Sequence, residues 1–120
     1  MKKLVLEFNE SPPLINQLYA KHHYSRHAIK KKWHLLTIES LRKHKNPPKF
    51  TRFKAIFERG YWCHPADLDG LGVSAKAMFD ALRKQGIIPD DNPNYFIEYI
   101  VKQKKYKRVD LKTTLTLIEV

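Results

Sequence analysis

The sequence has few of the features that mark secreted or membrane-spanning proteins. It contains a single cysteine, Cys63, which excludes an internal disulfide framework and fits a reducing cytoplasm. No stretch is apolar for long enough to span a membrane, and the opening MKKLVLEF has too short an apolar part for a signal peptide. Internal repeats and low-complexity tracts are also lacking. We therefore expect one cytoplasmic domain that covers residues 1–120.

Acidic residues are scarce as well. The chain of 120 residues has 12 Asp and Glu against 23 Lys and Arg, which gives a formal net charge of +11. A balance this basic predicts a polyanionic partner, with nucleic acid as the first candidate and an anionic membrane surface as the second. Charge alone does not choose between these partners, and a merely solvated basic surface is the simpler alternative.

The sequence does contain a regular succession of strand and helix patterns. Four segments alternate apolar and polar residues, and two longer segments repeat apolar residues every three or four positions. The predicted order is strand 3–8, helix 26–45, strand 50–58, helix 74–85, strand 95–101 and strand 111–119, with the basic KQKKYKR (102–108) as a connection. This order predicts an α+β fold, in which two main helices pack against a mixed sheet of four or slightly more strands.

The first helix is apolar on more than one side. One stripe contains Ile29, Trp33 and Leu36, whereas other apolar residues such as Leu35 and Ile38 fall elsewhere around the helix. Such a helix needs more than one packing partner. The sequence leaves open whether these apolar sides all pack in the core of the same chain or partly against a second subunit.

The scarce acids are concentrated in one segment. Five of the 12 lie within DLDGLGVSAKAMFDALRKQGIIPDD, residues 67–91, and all five are aspartates. Asp67 and Asp69 point the same way if their segment is extended, and an antiparallel helix 74–85 brings Asp91 back beside them. Carboxylates gathered around one point repel each other, and Mg²⁺ or Mn²⁺ removes that cost. The alternative is that these aspartates only stabilise turns.

A metal on carboxylates in a basic protein predicts phosphodiester chemistry. The basic surface would hold the polyanion, while the metal activates water and takes up the charge that develops on the phosphate. Lys76 could contact that phosphate or orient the water.

These motifs together resemble the RusA family of Holliday junction resolvases from bacteria and prophages. The resemblance covers most of the chain. It depends on DLD, on KAMFDALRKQGIIPDD, on the strand residues Tyr99-Ile100-Val101-Lys102 and on the early SPPLINQLY, which is similar to the Pro-Pro loop of the family. It implies a homodimer that binds branched double-stranded DNA and nicks four-way junctions in pairs, with Mg²⁺ or Mn²⁺ as the cofactor.

By motif position, the resemblance implies roles for six residues. Asp67, Asp69 and Asp91 correspond to the metal-binding aspartates, and Lys76 corresponds to the catalytic lysine. Asp80 and Asp90 correspond to supporting acids.

The chain also departs from the family pattern. Gly70 stands where the family has an Asn after the acidic pair, and about three extra residues separate Asp69 from Lys76. WCHPA replaces the run of arginines that precedes the acidic pair in the family. These departures leave open a catalytically inactive, RusA-like DNA-binding module, and an RNA-binding or RNA-cleaving protein is a weaker alternative.

Two basic stretches are the predicted contacts to the DNA backbone, and Tyr24 could stack on an exposed base. The predicted DNA-binding residues are Lys21, Tyr24, Arg26, Lys30, Lys31, Lys102, Lys104 and Lys105.

Overall fold

The computed structural model describes residues 2–12, 23–63, 65 and 75–120; for residues 23–26 it describes the backbone alone. The elements are β1 (Lys3–Phe8), α1 (His23–Arg42), β2 (Phe53–Tyr61), α2 (Lys76–Lys84), β3 (Phe96–Lys105) and β4 (Thr113–Glu119). This order confirms the predicted α+β class, with one mixed four-stranded sheet and two helices packed against it. No helix within the described ranges is both long and apolar enough to cross a membrane.

The strand order across the sheet is β1-β4-β2-β3. β4 is antiparallel to both β1 and β2, whereas β2 and β3 are parallel and are joined through α2. β1, β2 and β3 therefore all run in one direction, and their carboxyl ends lie at the same edge of the sheet. That edge is where the segments that begin at residues 9, 62 and 106 leave the strands.

The core lies on one face of the sheet. Alternate residues of the strands point to that face, and the register aligns Leu6, Leu115 and Phe57, which are all fully buried. Both helices cover these residues, because Trp33 of α1 and Met78 of α2 belong to the same buried cluster. The apolar and polar alternation of the sequence thus marks a sheet with helices on one side.

α1 packs along β1 as well as over the core. Trp33, Thr37 and Leu41 are buried at a spacing of four residues, which places them on one helix face. At the next turn, the backbone N–H of Glu7 donates to Ser40 Oγ at 3.2 Å, and Ser40 Oγ donates back to the Glu7 carbonyl at 3.2 Å. α1 therefore satisfies backbone groups of an edge strand, while the side chain of Leu35 is left 54% exposed.

Several predicted boundaries were wrong by a few residues. α1 ends at Arg42 rather than at residue 45, because the chain tightens there into a turn in which His44 N–H donates to the Leu41 carbonyl. The largest error concerns the basic segment 102–108, which was predicted as a connection. β3 continues through Lys105, because backbone pairing with β2 extends as far as Tyr61 opposite Lys105 and does not depend on the charge of the side chains.

Candidate functional site

The loop that follows β1 is anchored beside the end of β2. The Ser11 hydroxyl donates to the Gly60 carbonyl, and Arg59 Nε donates to the Pro12 carbonyl at 2.9 Å. The Arg59 side chain is buried, which lowers the pKa of its guanidinium. The start of the Pro-Pro motif and the start of the segment that leads to Asp67 thus leave the same edge of the sheet side by side.

α2 carries one half of the acidic segment. Its buried face holds Met78, Phe79 and Leu82, so Lys76 and Asp80 are turned outward. Gly86 ends the helix in a left-handed conformation (φ 76°), which a glycine adopts without a steric penalty.

The turn after α2 runs back along the core towards β3. The Ile87 carbonyl accepts a hydrogen bond from Phe50 N–H at 2.8 Å, and both Ile87 and Ile88 are buried. Burial of these two residues fixes the point from which the Asp90-Asp91 turn begins.

Lys76 and two aspartates meet on the outer side of α2. Lys76 Nζ lies 2.7 Å from Asp91 Oδ2 and 3.5 Å from Asp80 Oδ1. These two carboxylate oxygens are therefore at most 6.2 Å apart, the sum of 2.7 and 3.5 Å. We call Lys76, Asp80 and Asp91 the Lys76 cluster. Its members come from α2 and from the turn before β3. The predicted neighbours of Asp91, which are Asp67 and Asp69, lie outside the described residues.

The charges of the Lys76 cluster stabilise one another. The hydrogen bond from Lys76 holds the pKa of Asp91 below its usual value, and the same bond raises the pKa of Lys76. The Lys76 side chain is 60% exposed, so water screens this pair and its contribution to stability is small. Its exposure also leaves the ammonium accessible to a ligand from solution.

Asp90 has a different local role from Asp91. Its Oδ1 accepts a hydrogen bond from Asp91 N–H at 2.8 Å, and its Oδ2 accepts one from Asn92 Nδ2 at 3.1 Å. Both oxygens thus shape the turn that presents Asp91. The supporting function that the resemblance implies for Asp90 stays a prediction.

The other two predicted metal ligands, Asp67 and Asp69, lie outside the described residues. In the part of the chain that is described, no group of three or more His, Cys, Asp or Glu side chains is arranged to hold a metal ion. Among the described residues, the fold brings the carboxylates of Asp80 and Asp91 to the same ammonium, that of Lys76. The metal site therefore stays a prediction.

The predicted DNA-binding residues fall on several surfaces. Lys30 and Lys31 are exposed on α1, on the side that faces α2. Lys102 and Lys104 pair with Glu58 and Gly60, and this register turns them to the sheet face opposite the helices. For the remaining predicted contacts, Lys21 lies outside the described residues, Tyr24 and Arg26 have only their backbone described, and Lys105 ends β3.

The structure adds an aromatic and cationic pair that the sequence did not indicate. Trp62 is 46% exposed, and the guanidinium of Arg108 lies 5.0 Å from the centre of its ring. They meet because Tyr106 N–H bonds the Tyr61 carbonyl at 2.8 Å, just beyond the paired ends of β2 and β3. The two residues are 46 positions apart in the chain, so their contact depends on strand pairing.

A scan against protein-family models finds no match, and a search of curated proteins likewise finds none. The likeness to the RusA family therefore depends on the motifs in the sequence and stays a prediction.

Proposed function

We propose that this protein is a metal-dependent, structure-selective endodeoxyribonuclease that nicks four-way DNA junctions in the manner of the RusA family. The observation that carries the proposal is the 2.7 Å contact between Lys76 and Asp91. These residues are 15 positions apart, and each matches a functional position of the family motif. Their meeting is what a shared active site requires.

Carboxylates are the suitable ligands for the metal that the proposal needs. Asp91 is partly exposed and lies in the Lys76 cluster, and oxygen ligands of this kind suit Mg²⁺ or Mn²⁺. In the proposal, Asp67, Asp69 and Asp91 hold the ion. The bound ion would supply an activated water and offset charge on the scissile phosphate.

Lys76 is the proposed phosphate contact. Its ammonium now neutralises Asp91, and a metal on the same carboxylate would compete with it. Because the side chain is long and exposed, the ammonium can turn from Asp91 towards a phosphate oxygen. Asp80, one helical turn further along α2, keeps a second carboxylate near the ammonium and limits its range.

The proposal extends to partners and to location. Branched DNA would bind along the basic surfaces, because the net charge of +11 attracts phosphates. A homodimer would supply the two active sites that paired nicks need. The reaction would take place in the cytoplasm, where DNA is accessible.

A cleavage assay on a synthetic four-way junction tests the proposal. One labelled strand is followed with and without Mg²⁺ or Mn²⁺, beside a linear duplex of the same sequence. We expect paired nicks near the crossover that need the metal. In Asp69→Asn and Asp91→Asn we expect no nicks but intact or tighter binding, because each change removes a charge that repels DNA.

Asp110→Asn is the matched control for these two variants. It makes the same chemical change in the exposed turn Arg108–Asp110, which lies outside the acidic segment 67–91 in the sequence. Loss of junction binding together with cleavage in Asp69→Asn would contradict its assignment as a metal ligand. Equal cleavage by Asp91→Asn and Asp110→Asn would contradict the assignment of Asp91.

A second candidate is a DNA-binding module of the same fold without catalytic activity. Gly70 in place of the family Asn favours it, and so does the pairing of Asp91 with Lys76, which satisfies the carboxylate without a metal. This candidate predicts salt-sensitive junction binding with no nicks under either metal. Competition with RNA in the same assay tests the weaker RNA alternative.

A further inference from the structure

A groove between α1 and α2 is lined mainly by basic side chains. The two helices pack against each other, and a cavity of about 360 Å³ opens between their outer faces. α1 contributes His27, Lys30, Lys31 and His34, which share one face at the spacing of three, four and seven residues. α2 contributes Asp80 and Lys84. We call this feature the interhelix groove.

The described residues do not neutralise the positive charge of the interhelix groove. Three lysines line it against one aspartate, and that aspartate is already 3.5 Å from Lys76. Lys30, Lys31 and Lys84 are exposed, and none of them forms an ion pair with a carboxylate of the described ranges. By contrast, Lys32 on the neighbouring side of α1 is 2.6 Å from Glu10. Unpaired cations that converge on a concave surface favour an anionic ligand.

The interhelix groove joins the Lys76 cluster through Asp80. Lys76, Asp80 and Lys84 are four residues apart, so they form one stripe along α2. At a rise of 1.5 Å per residue, Lys76 and Lys84 are about 12 Å apart along the helix axis. One strand of B-DNA advances by three to four nucleotides over about this length. A strand that lies in the groove can therefore continue to Lys76.

We propose that the interhelix groove binds the sugar–phosphate backbone of one nucleic-acid strand and leads that strand to Lys76. The inference rests on nucleic-acid binding in the proposed function but does not require that the chain cleave DNA. Lys30 and Lys31 on one wall and Lys84 on the other contact successive phosphates. The contacts are to the backbone and not to bases, so binding in the groove is independent of sequence.

The lining of the groove also distinguishes this ligand from a membrane surface. Helices that lie on membranes insert large apolar side chains beside their lysines. The interhelix groove has Ala77 as its apolar lining residue and is concave, whereas a bilayer needs a flat or convex apolar face. Nucleic acid is therefore the ligand that the groove fits better.

The salt dependence of DNA binding tests the inference. The test variant is Lys30→Ala/Lys84→Ala, which removes one ammonium from each wall. The matched control is Lys43→Ala/Lys45→Ala, which removes the same charge from exposed positions beyond the end of α1. The affinity of each protein for a short duplex and for a four-way junction with the same arms is measured between 50 and 200 mM salt, where about 0.9 counterion is released per phosphate contact.

Loss of two phosphate contacts lowers the slope of log affinity against log salt by about 1.8. Over this fourfold range of salt, the affinity of the wild type therefore falls about 12-fold more than that of Lys30→Ala/Lys84→Ala. We expect the control to keep the slope of the wild type. Equal slopes for the test and control variants would overturn the inference, because general charge would then explain the effect.

Two further arms separate the inference from the proposed activity. If the wild type makes no nicks but the slopes differ as expected, the interhelix groove stands and the nuclease proposal fails. If the wild type makes nicks and the test variant has the same slope of log affinity against log salt as the wild type, the groove inference is overturned. Failure of the wild type to bind either DNA would overturn it too, as would a test variant that loses binding to phosphatidylglycerol vesicles but not to DNA.

Discussion

Substitution of Gly60 by alanine tests the closest backbone approach in this fold. A Cβ at position 60 would lie 2.0 Å from the Lys112 carbonyl oxygen and 2.9 Å from its carbonyl carbon. Both atoms belong to the backbone, so no side-chain rotation relieves the clash. The chain that enters β4 must move away, which also weakens the 3.2 Å hydrogen bond from Gly60 N–H to Thr113 Oγ1.

The magnitude follows from these two effects. Overpacking of a filled site costs about 1–3 kcal/mol, and a weakened buried hydrogen bond adds about 1 kcal/mol. We therefore expect Gly60→Ala to lower the free energy of unfolding by about 3 kcal/mol. For a chain of this size the midpoint of thermal unfolding falls by roughly 10 °C. Urea denaturation and a thermal melt followed by circular dichroism both measure the change.

Gly86→Ala is the control for conformational strain without a clash. Gly86 has φ +76°, and nothing lies within 4 Å of the position that an alanine Cβ would occupy there, so the cost is about 1 kcal/mol from the backbone alone. If Gly60→Ala costs no more than Gly86→Ala, the contact between β2 and residue 112 is absent in solution. The anchoring of the segment after β2, on which the site geometry depends, would then be refuted.

Three further predictions concern the edge, the core and the site. Ser40→Ala removes both hydrogen bonds to Glu7 and is expected to cost about 1–2 kcal/mol in urea denaturation; a change near zero would contradict protection of the β1 edge by α1. Phe57→Ala empties a fully buried position and is expected to cost about 3–5 kcal/mol, well above Ile56→Ala on the opposite sheet face. Lys76→Met breaks an exposed ion pair, so we expect the free energy of unfolding from the thermal melt to fall by less than about 1 kcal/mol. We also expect this variant to lose junction cleavage. A large drop in its melting temperature would instead assign Lys76 a structural role.

Local patterns in the sequence were sufficient for the elements but not for all their limits. The alternation of Leu4, Leu6 and Phe8 predicted β1 with its observed bounds, because each of these side chains faces the core. The basic residues after Val101 looked like a connection, since charge there hides the strand pattern. Backbone pairing with β2 extends β3 to Lys105, and this pairing is not visible in the local sequence.

The contacts of the candidate site are also partly local and partly set by tertiary packing. The contact between Lys76 and Asp80 is local, because residues four apart on a helix are neighbours. The sequence predicted that an antiparallel α2 brings Asp91 beside Asp67 and Asp69, which lie outside the described residues. Its approach to Lys76 follows instead from the packing of Ile87 and Ile88. Nothing in the sequence indicated that Lys84 and Lys30 line the same groove from opposite sides.

The sequence by itself determined the class of fold, the basic character of the surface and the concentration of aspartates between residues 67 and 91. Each of these follows from composition or from a period of two or about 3.6 residues, which neighbouring side chains set locally. Only the tertiary structure decided that Lys76 meets Asp91, that Trp62 meets Arg108 and that two helices form a basic groove. Such contacts join residues far apart in the chain, and they form because burial of one core fixes the positions of the helices and strands relative to one another.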